Sequence, residues 1–453
     1  SKYITTYFRK YLQVDDPNAV TGIAGELMWD DGAVVYLNGH EIGRVSMPAG
    51  TITAATLSTG HEAEDAYVGY DWTAQKAWLV DGVNIIAVEV HQAAASSSDL
   101  VFDLSMTLTT GNDRDGDRLA DAVETDTGQF QGPLDTGTDP DDPDTDDDGI
   151  DDGDEVLGTT GGLDLPAMGV SPTHKNVLLE YDWFDDSVGC GFHSHRPNLA
   201  LLQRVDIAFD AGEVSNPDGQ MGIILIHDYG QGGVFTGGNR ITDADGNVDS
   251  FGTEYQAYKS ANFAANRQGY FHYVLMPHSY NGGPSSGLAE LGGDDMIVSL
   301  QCSYSDVNVG NTIMHELGHN LGLHHGGRGD ATNYKPNYNS VMNYLYQFGG
   351  VDTNCTPPGD GKLDYSRHQH IDLDENHLVE SEGICGPGTV PWDWNQNGSF
   401  DAAPIVYDVN FDTVYGLLTD SDDWTNLMLD FTPGANAGMV APEVVVCDNP
   451  PPQ

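Results

Sequence analysis

Apolar and polar positions alternate in short runs over residues 1–110. TGIAGELMWD, GAVVYLNGHEIGRVSM, NIIAVEVHQ and LVFDLSMTL are β-branched stretches separated by the turn signals DDG, NGH and DGVN. Period-two runs at this spacing predict an all-β sandwich rather than βαβ units. Residues 111–157 are an acidic block. Over 158–432 the pattern is mixed. HKNVLLEYDWF, MGIILIHDYG, YFHYVLMPHSY and DDMIVSLQ read as buried strands, and HRPNLALLQRVDIAFDAG has the apolar spacing of a helix. NTIMHELGHNLGLHHGG reads as a helix ending in paired glycines. Residues 433–453 read as a tail or linker. The expected fold class is multidomain: a β-sandwich at 1–110, a connector at 111–157 and an α+β domain at 158–432.

Charge narrows the partners. The chain has 453 residues with 70 acidic and 17 basic side chains, a formal net charge of −53. Phosphate recognition needs a positive face, so nucleic acid is excluded as a general partner, and an anionic membrane surface with it. No apolar stretch is long enough to span a membrane. SKYITTYFRKYLQV lacks the pattern of a signal peptide, which implies one that never existed or was removed. The sparse lysines suit a salt-adapted surface and a marine or halophilic source. Five cysteines form no CxxC pair. Cys355–Cys385 is the first expected disulfide and Cys190–Cys302 the second, with Cys447 left over. Disulfides suit an extracellular address.

Residues 111–157 hold 18 Asp/Glu and two Arg, and their spacing is ordered. An EF-hand-type loop wants oxygens at positions 1, 3, 5 and 9, a backbone carbonyl at 7 and a bidentate Glu at 12. Asp144, Asp146, Asp148, Ile150, Asp152 and Glu155 fill these places, with Gly149 at position 6. Asp113, Asp115, Asp117, Leu119, Asp121 and Glu124 fill them again, with Arg118 at position 6 and the glycine moved to Gly116. Ca²⁺ takes six to eight hard oxygens, and without it such carboxylates repel one another. DRDGDRLADAVE and DTDDDGIDDGDE resemble thrombospondin type 3-like repeats, which implies structural calcium. Asp393, Asn395, Asn397 and Asp401 form a further calcium candidate, weakened by Pro404 at position 12. Asp408-x-Asn410-x-Asp412 and Asp243-x-Asp245-x-Asn247-x-Asp249 are shorter versions, of a kind common without metal. In the first domain DDGAVVYLNGHEIGR, MPAGT and NIIAVEVHQ resemble galactose-binding-like jelly rolls. That resemblance implies either glycan binding through residues 1–110 or simple packing against a neighbour.

The chemistry lies in His315-Glu316-Leu317-Gly318-His319-Asn320-Leu321-Gly322-Leu323-His324-His325. Residues i and i+4 share a helix face, so His315 and His319 can aim two imidazoles at one metal. Gly322 allows a turn with φ > 0 that brings His325 back as third ligand. Three nitrogens and one open position describe catalytic rather than structural zinc. His324 is out of register and reads as a neighbour. HExxHxxGxxH, followed by Ser340-Val341-Met342-Asn343-Tyr344, resembles the metzincin metallopeptidases. The wider stretch is similar to secreted bacterial members near the pappalysin-like and reprolysin-like groups, although Gly326 departs from the usual residue after the third histidine.

The resemblance implies a zinc-dependent endopeptidase acting on protein or peptide, with a zinc-activated water and Glu316 as general base. Met342 would be a hydrophobic floor beneath the imidazoles. Tyr344 would be a metal ligand or an oxyanion donor, and Met296–Leu300 an edge strand for an extended peptide. The alternative is a surface or filament protein, self-assembling or glycan-binding, that keeps the metzincin fold as scaffold. The intact Glu316 favours the enzyme. His193-Ser194-His195 fits either a metal or, more commonly, a polar loop.

Overall fold

The structure is a computed structural model and describes residues 3–14, 17–60, 66–97, 99–303, 305–430 and 443–447. The chain is mostly β-sheet with few helices and divides into two compact units. One is Ser1–Asp126 with Leu134–Pro143; the other is Thr127–Pro133 with Asp144–Gln453.

The first unit contains β1 (Thr5–Val14), β2 (Val20–Trp29), β3 (Gly32–Leu37), β4 (His40–Val45), β5 (Val68–Asp71), β6 (Gly82–His91) and β7 (Phe102–Thr110). Two antiparallel sheets form, in the orders β1-β6-β3-β4 and β5-β2-β7. Period two in the sequence becomes sidedness in space. Ile23, Leu27 and Trp29 of β2 turn inward while Ala24 and Glu26 face solvent. The inward residues of both sheets share one core with Val35, Leu37, Val88 and Val90. Strand β1 carries no inward stripe, because Tyr7, Phe8, Arg9, Lys10 and Tyr11 are all exposed. Only its ten-residue ladder with β6 reveals it as a strand.

The second unit begins with α1 (Asp152–Leu157) and α2 (Leu165–Met168). It continues through β8 (Asn176–Asp186), β9 (His193–Ser194), α3 (Leu199–Asp210), β10 (Ile224–Asp228), β11 (Arg240–Ile241), β12 (Asn247–Val248) and α4 (Thr253–Asn262). Next come β13 (Phe271–Met276), β14 (Ser279–Tyr280), β15 (Gly287–Leu291), β16 (Asp295–Val298) and α5 (Asp306–Asn320). The last elements are β17 (Leu373–Asp374), β18 (Leu417–Leu418) and β19 (Glu443–Cys447). The main sheet runs β10-β8-β13-β16-β15-β19, with β9 and β11 also paired to β8. Strands β10, β8, β13 and β16 are mutually parallel, whereas β15 and β19 run antiparallel to their neighbours.

Parallel strands covered on both faces are buried along their length, as β8 and β13 are, and the buried Glu180 and Asp182 of β8 are met by Arg267 and Tyr273. Val274 and Met276 of β13 join a core with Met296, Val298, Val205 and Phe209 of α3, and Ile313, Met314 and Leu317 of α5. Tyr273 and Leu275 face the other way and meet Tyr255, Leu288 and Ile297. Truncating Leu317, fully buried in the first core, costs about 2–5 kcal/mol.

Three expectations change here. Met296–Leu300 is not an edge, because β16 lies between β13 and β15. β15 runs antiparallel to β16 and is itself paired on its far side by β19 (Glu443–Cys447), the outermost strand of the sheet. That strand comes from the segment read as a tail; residues 433–442 and 448–453 lie outside the described residues. Helix α5 stops at Asn320, short of the paired glycines Gly326 and Gly327, because the chain turns at Gly322. Both expected disulfides form, Cys190–Cys302 and Cys355–Cys385.

Candidate metal centre

Helix α5 starts where the Ser305 hydroxyl accepts the Asn308 N–H at 3.1 Å, a local N-cap. From Val309 to Asn320 every residue is buried. At its far end the Asn320 amide donates to the carbonyls of Glu290 (2.8 Å) and Asp295 (3.1 Å), which fixes the helix against β15 and β16. Gly322, at φ 89°, then reverses the chain; a Cβ there would lie 2.8 Å from the Met428 sulfur.

The turn brings three imidazoles together. His315 and His319 have ring centroids 4.9 Å apart, and His325 lies 5.4 and 4.9 Å from them. One nitrogen from each falls within a 4.8 Å cluster. His315 Nδ1 donates to the Val341 carbonyl at 2.7 Å, and His319 Nδ1 to the Leu323 carbonyl at 2.6 Å. Carbonyls only accept, so these bonds set the tautomer and leave each Nε2 lone pair for a ligand. Burial holds His315 at about 4, pushes His325 down to about 2 and lowers His319 strongly. The three rings are therefore neutral at pH 7, the form that binds a metal.

Met342 packs beneath the helix. A Cβ on Gly318 would lie 2.3 Å from its sulfur, so only glycine admits this contact. The Tyr344 ring sits 4.4 Å from His325 and 5.7 Å from His315. Its N–H donates to Asn333 Oδ1 at 3.0 Å. Glu316 is fully buried, and a Cβ on Gly287 of β15 would lie 2.0 Å from its Oε1. The carboxylate thus lies over the one position of β15 that has no side chain. Lys335, absent from the sequence reading, is buried and bonds Gly326 O (2.8 Å), Asp330 Oδ2 (2.8 Å) and Thr419 O (2.7 Å). It ties down the turn after the third histidine. No spacing rule links it to the motif.

The acidic loops have a shared backbone. In the second unit Asp144 accepts the Asp148 and Gly149 N–H groups at 3.1 and 2.8 Å, and Asp152 accepts from Thr145. The Ile150 side chain enters the core, as a carbonyl-donating position allows. Both oxygens of Asp146 and both of Glu155 are buried with no hydrogen-bond partner. Burial, then the neighbouring carboxylates, pushes Asp146 to about 10, Asp148 to about 7 and Glu155 well up; burial takes Asp144 to about 6. A hard cation satisfies such a set, so the residues fit Ca²⁺.

In the first unit Asp113, Asp115 and Asp117 cluster in the same way, and Leu119 is buried. Burial raises Glu124 to about 7, its Oε1 accepting the Thr138 hydroxyl at 3.3 Å. Asp121 is bound instead to Asn112 and Arg114. The 393–401 loop repeats the turn, with Asp393 accepting the Gly398 N–H at 2.7 Å. There Asn395 and Asn397 spend their amides on Asp401. In place of a position-12 Glu, buried Glu380 accepts the N–H groups of Trp394 and Asp401. Glu375 does the same for Val409 and Gly416 in the 408–416 loop. Sequence reading found neither glutamate, because each lies before its loop. The Asp243–Asp249 segment is a turn whose Asp249 caps α4, accepting from Glu254 and Tyr255.

The family described as gametolysin peptidase M11 matches residues 253–357, which include α5, all three histidines, Met342 and Tyr344. That match supports a zinc-dependent metallopeptidase. No curated protein matches the chain. Among solved structures, a β-D-mannosidase from Dictyoglomus thermophilum aligns at 21% identity, over 19% of this chain and 9% of that one, with a TM-score of 0.14. An α-L-rhamnosidase from Streptomyces avermitilis aligns at 19% identity over 25% and 11%, with a TM-score of 0.16. The chain spans about a tenth of the length of each, and overlaps of that size establish neither fold nor function. Among the described residues no helix is long and apolar enough to cross a membrane.

Proposed function

We propose that the chain is a secreted zinc endopeptidase of the metzincin type. The observation that carries this is the convergence of His315, His319 and His325, with two of the rings locked by backbone carbonyls beside a buried glutamate. Zinc held by these nitrogens would supply Lewis acidity and a water acidic enough to ionise near neutral pH. Glu316 takes the proton from the attacking water and returns it to the leaving amine. Tyr344, packed on His325, donates to the developing oxyanion. Met342 and Gly322 hold the rings in place from below and behind. An extended peptide pairs along β15 in place of Glu443–Cys447, where Gly287 sets backbone next to the Glu316 carboxylate.

Calcium braces the fold through Asp144, Asp146, Asp148, the Ile150 carbonyl, Asp152 and Glu155, and through Asp113, Asp115, Asp117, the Leu119 carbonyl, Asp121 and Glu124. Asp393, Asn395, Asn397 and Asp401 form a weaker site of the same kind. Two disulfides and the acidic surface support an extracellular setting. The test is hydrolysis of a denatured protein before and after 1,10-phenanthroline, with calcium kept in excess. Activity lost to the chelator and regained with zinc supports the reading; chelator-resistant hydrolysis contradicts it.

A further inference from the structure

We propose that Asp186, His193, His195 and His278 form a second zinc-type site, closed and structural, built from residues the peptidase reading does not use. Strand β8 ends at Asp186, and the returning strand β9 sets His193 directly opposite it. Residues opposed across an antiparallel pair project to the same face. The chain then continues to His195, whose N–H donates to the Phe184 carbonyl at 3.0 Å. Strand β13 runs parallel beside β8, and its continuation delivers His278 to the same end of the sheet.

One ligand atom from each of the four residues lies within 4.8 Å of the others. His193 Nε2 is 3.2 Å from His278 Nδ1 and 3.6 Å from Asp186 Oδ1, and His278 Nδ1 is 3.5 Å from that oxygen. His195 Nε2 completes the set, 2.9 Å from Asp186 Oδ2. Ligands about 2.05 Å from a tetrahedral zinc stand about 3.3 Å apart. Three of these four separations are within a few tenths of an ångström of that edge, with no ring or strand moved. The donors also suit the ion. Three imidazoles and one carboxylate select a zinc-like metal over calcium or magnesium, and four protein ligands leave no open position.

The surroundings are built for it. Asp186, His195 and His278 are buried and His193 is half-buried. A Cβ at Gly246 would lie 3.0 Å from the His278 Cβ and 3.4 Å from the Asp186 carboxyl carbon, so glycine lets a third backbone segment close over the cluster. The Cys190–Cys302 disulfide anchors the β8–β9 loop beside Gln301, whose N–H bonds the His278 carbonyl at 3.0 Å. A metal here would lock the ends of β8 and β13 to that loop.

The test uses the full chain with disulfides intact and its zinc content measured by mass spectrometry. Wild type is expected to hold about two zinc ions, and His315→Ala/His319→Ala to keep about one. Cobalt loaded into that double variant should give the intense visible bands of a tetrahedral site. His193→Ala/His278→Ala should lose one ion while keeping the His315 site. As a check that needs no variant to fold, chelator-stripped wild type is titrated with zinc against a chromophoric competitor; two equivalents are expected. A folded His315→Ala/His319→Ala protein without zinc overturns the site and identifies a purely hydrogen-bonded cluster. Failure of the peptidase reading alone leaves the one zinc ion of that variant in place.

Discussion

Replacing Gly287 by alanine changes one methyl group on β15 and should disable the centre without unfolding it. The new Cβ would lie 2.0 Å from Glu316 Oε1, 2.5 Å from its Cδ and 2.7 Å from its Cγ. Ordinary contact begins at 3.4 Å, so the carboxylate must retreat by about 1.4 Å. The obstructing atoms belong to a side chain rather than to backbone, so stability should fall by only about 1 kcal/mol. Catalysis is less forgiving. A misplacement of about 1 Å in a reacting group costs on the order of 10²-fold in rate. The assay is kcat/KM on a quenched-fluorescence peptide, with zinc content and Tm measured on the same preparation. Expected are wild-type zinc, a near-wild-type Tm and a loss of about two orders of magnitude in kcat/KM. A zinc-loaded Gly287→Ala protein within about twofold of wild type would refute the placement of Glu316 against β15.

Other outcomes follow from the same geometry. Asp148 and Asp146 are raised to about 7 and about 10, whereas unfolded carboxyls are fully ionised by pH 7. The calcium-free folded state therefore holds extra protons through these carboxyls, and their contribution to stability falls as pH rises from 7 to 8.5. The slope is about 1.4 kcal/mol per pH unit for each carboxyl still protonated, and calcium should abolish it; a flat calcium-free Tm across that window would contradict the loop assignment. Asp146→Asn replaces a carboxyl that must take up a proton in the calcium-free fold with a neutral amide, so the calcium-free Tm should rise and the shift on adding calcium should shrink; a full calcium shift would count against Asp146 as a ligand. Ending the chain at Asp430 frees the far side of β15 from Glu443–Cys447. KM for an extended peptide should then fall with kcat nearly unchanged, and an unchanged KM would place the substrate elsewhere.

What could be read from sequence was local. His315 and His319 are one helical turn apart, Gly322 supplies the reversal, and the spacing of Asp113, Asp115 and Asp117 and of Asp144, Asp146 and Asp148 already clusters their carboxylates. Strand β2 announces itself by alternation, and β8 by its cluster Val177, Leu178, Leu179 and the aromatics Tyr181, Trp183 and Phe184. Distant partners stayed hidden. Strand β1 has an exposed surface, and β16 lies inside the sheet only because it pairs on both sides. Lys335, Glu375 and Glu380 act through loops folded back from elsewhere, and no period links them to what they brace. His278 joins His193 across 85 residues because β13 lies beside β8. Gly287 could not be read as a site residue, since its contribution is the side chain it lacks.

The most direct measurement compares wild type with Glu316→Gln on denatured casein, with zinc content verified in both. The substitution keeps side-chain size and metal ligands while removing the proton acceptor. Wild-type cleavage with a fall of about 10²–10⁴-fold in the zinc-loaded variant is the predicted result. Equal cleavage by the two, or none by zinc-loaded wild type, would contradict the assignment of Glu316 as the base of a working peptidase.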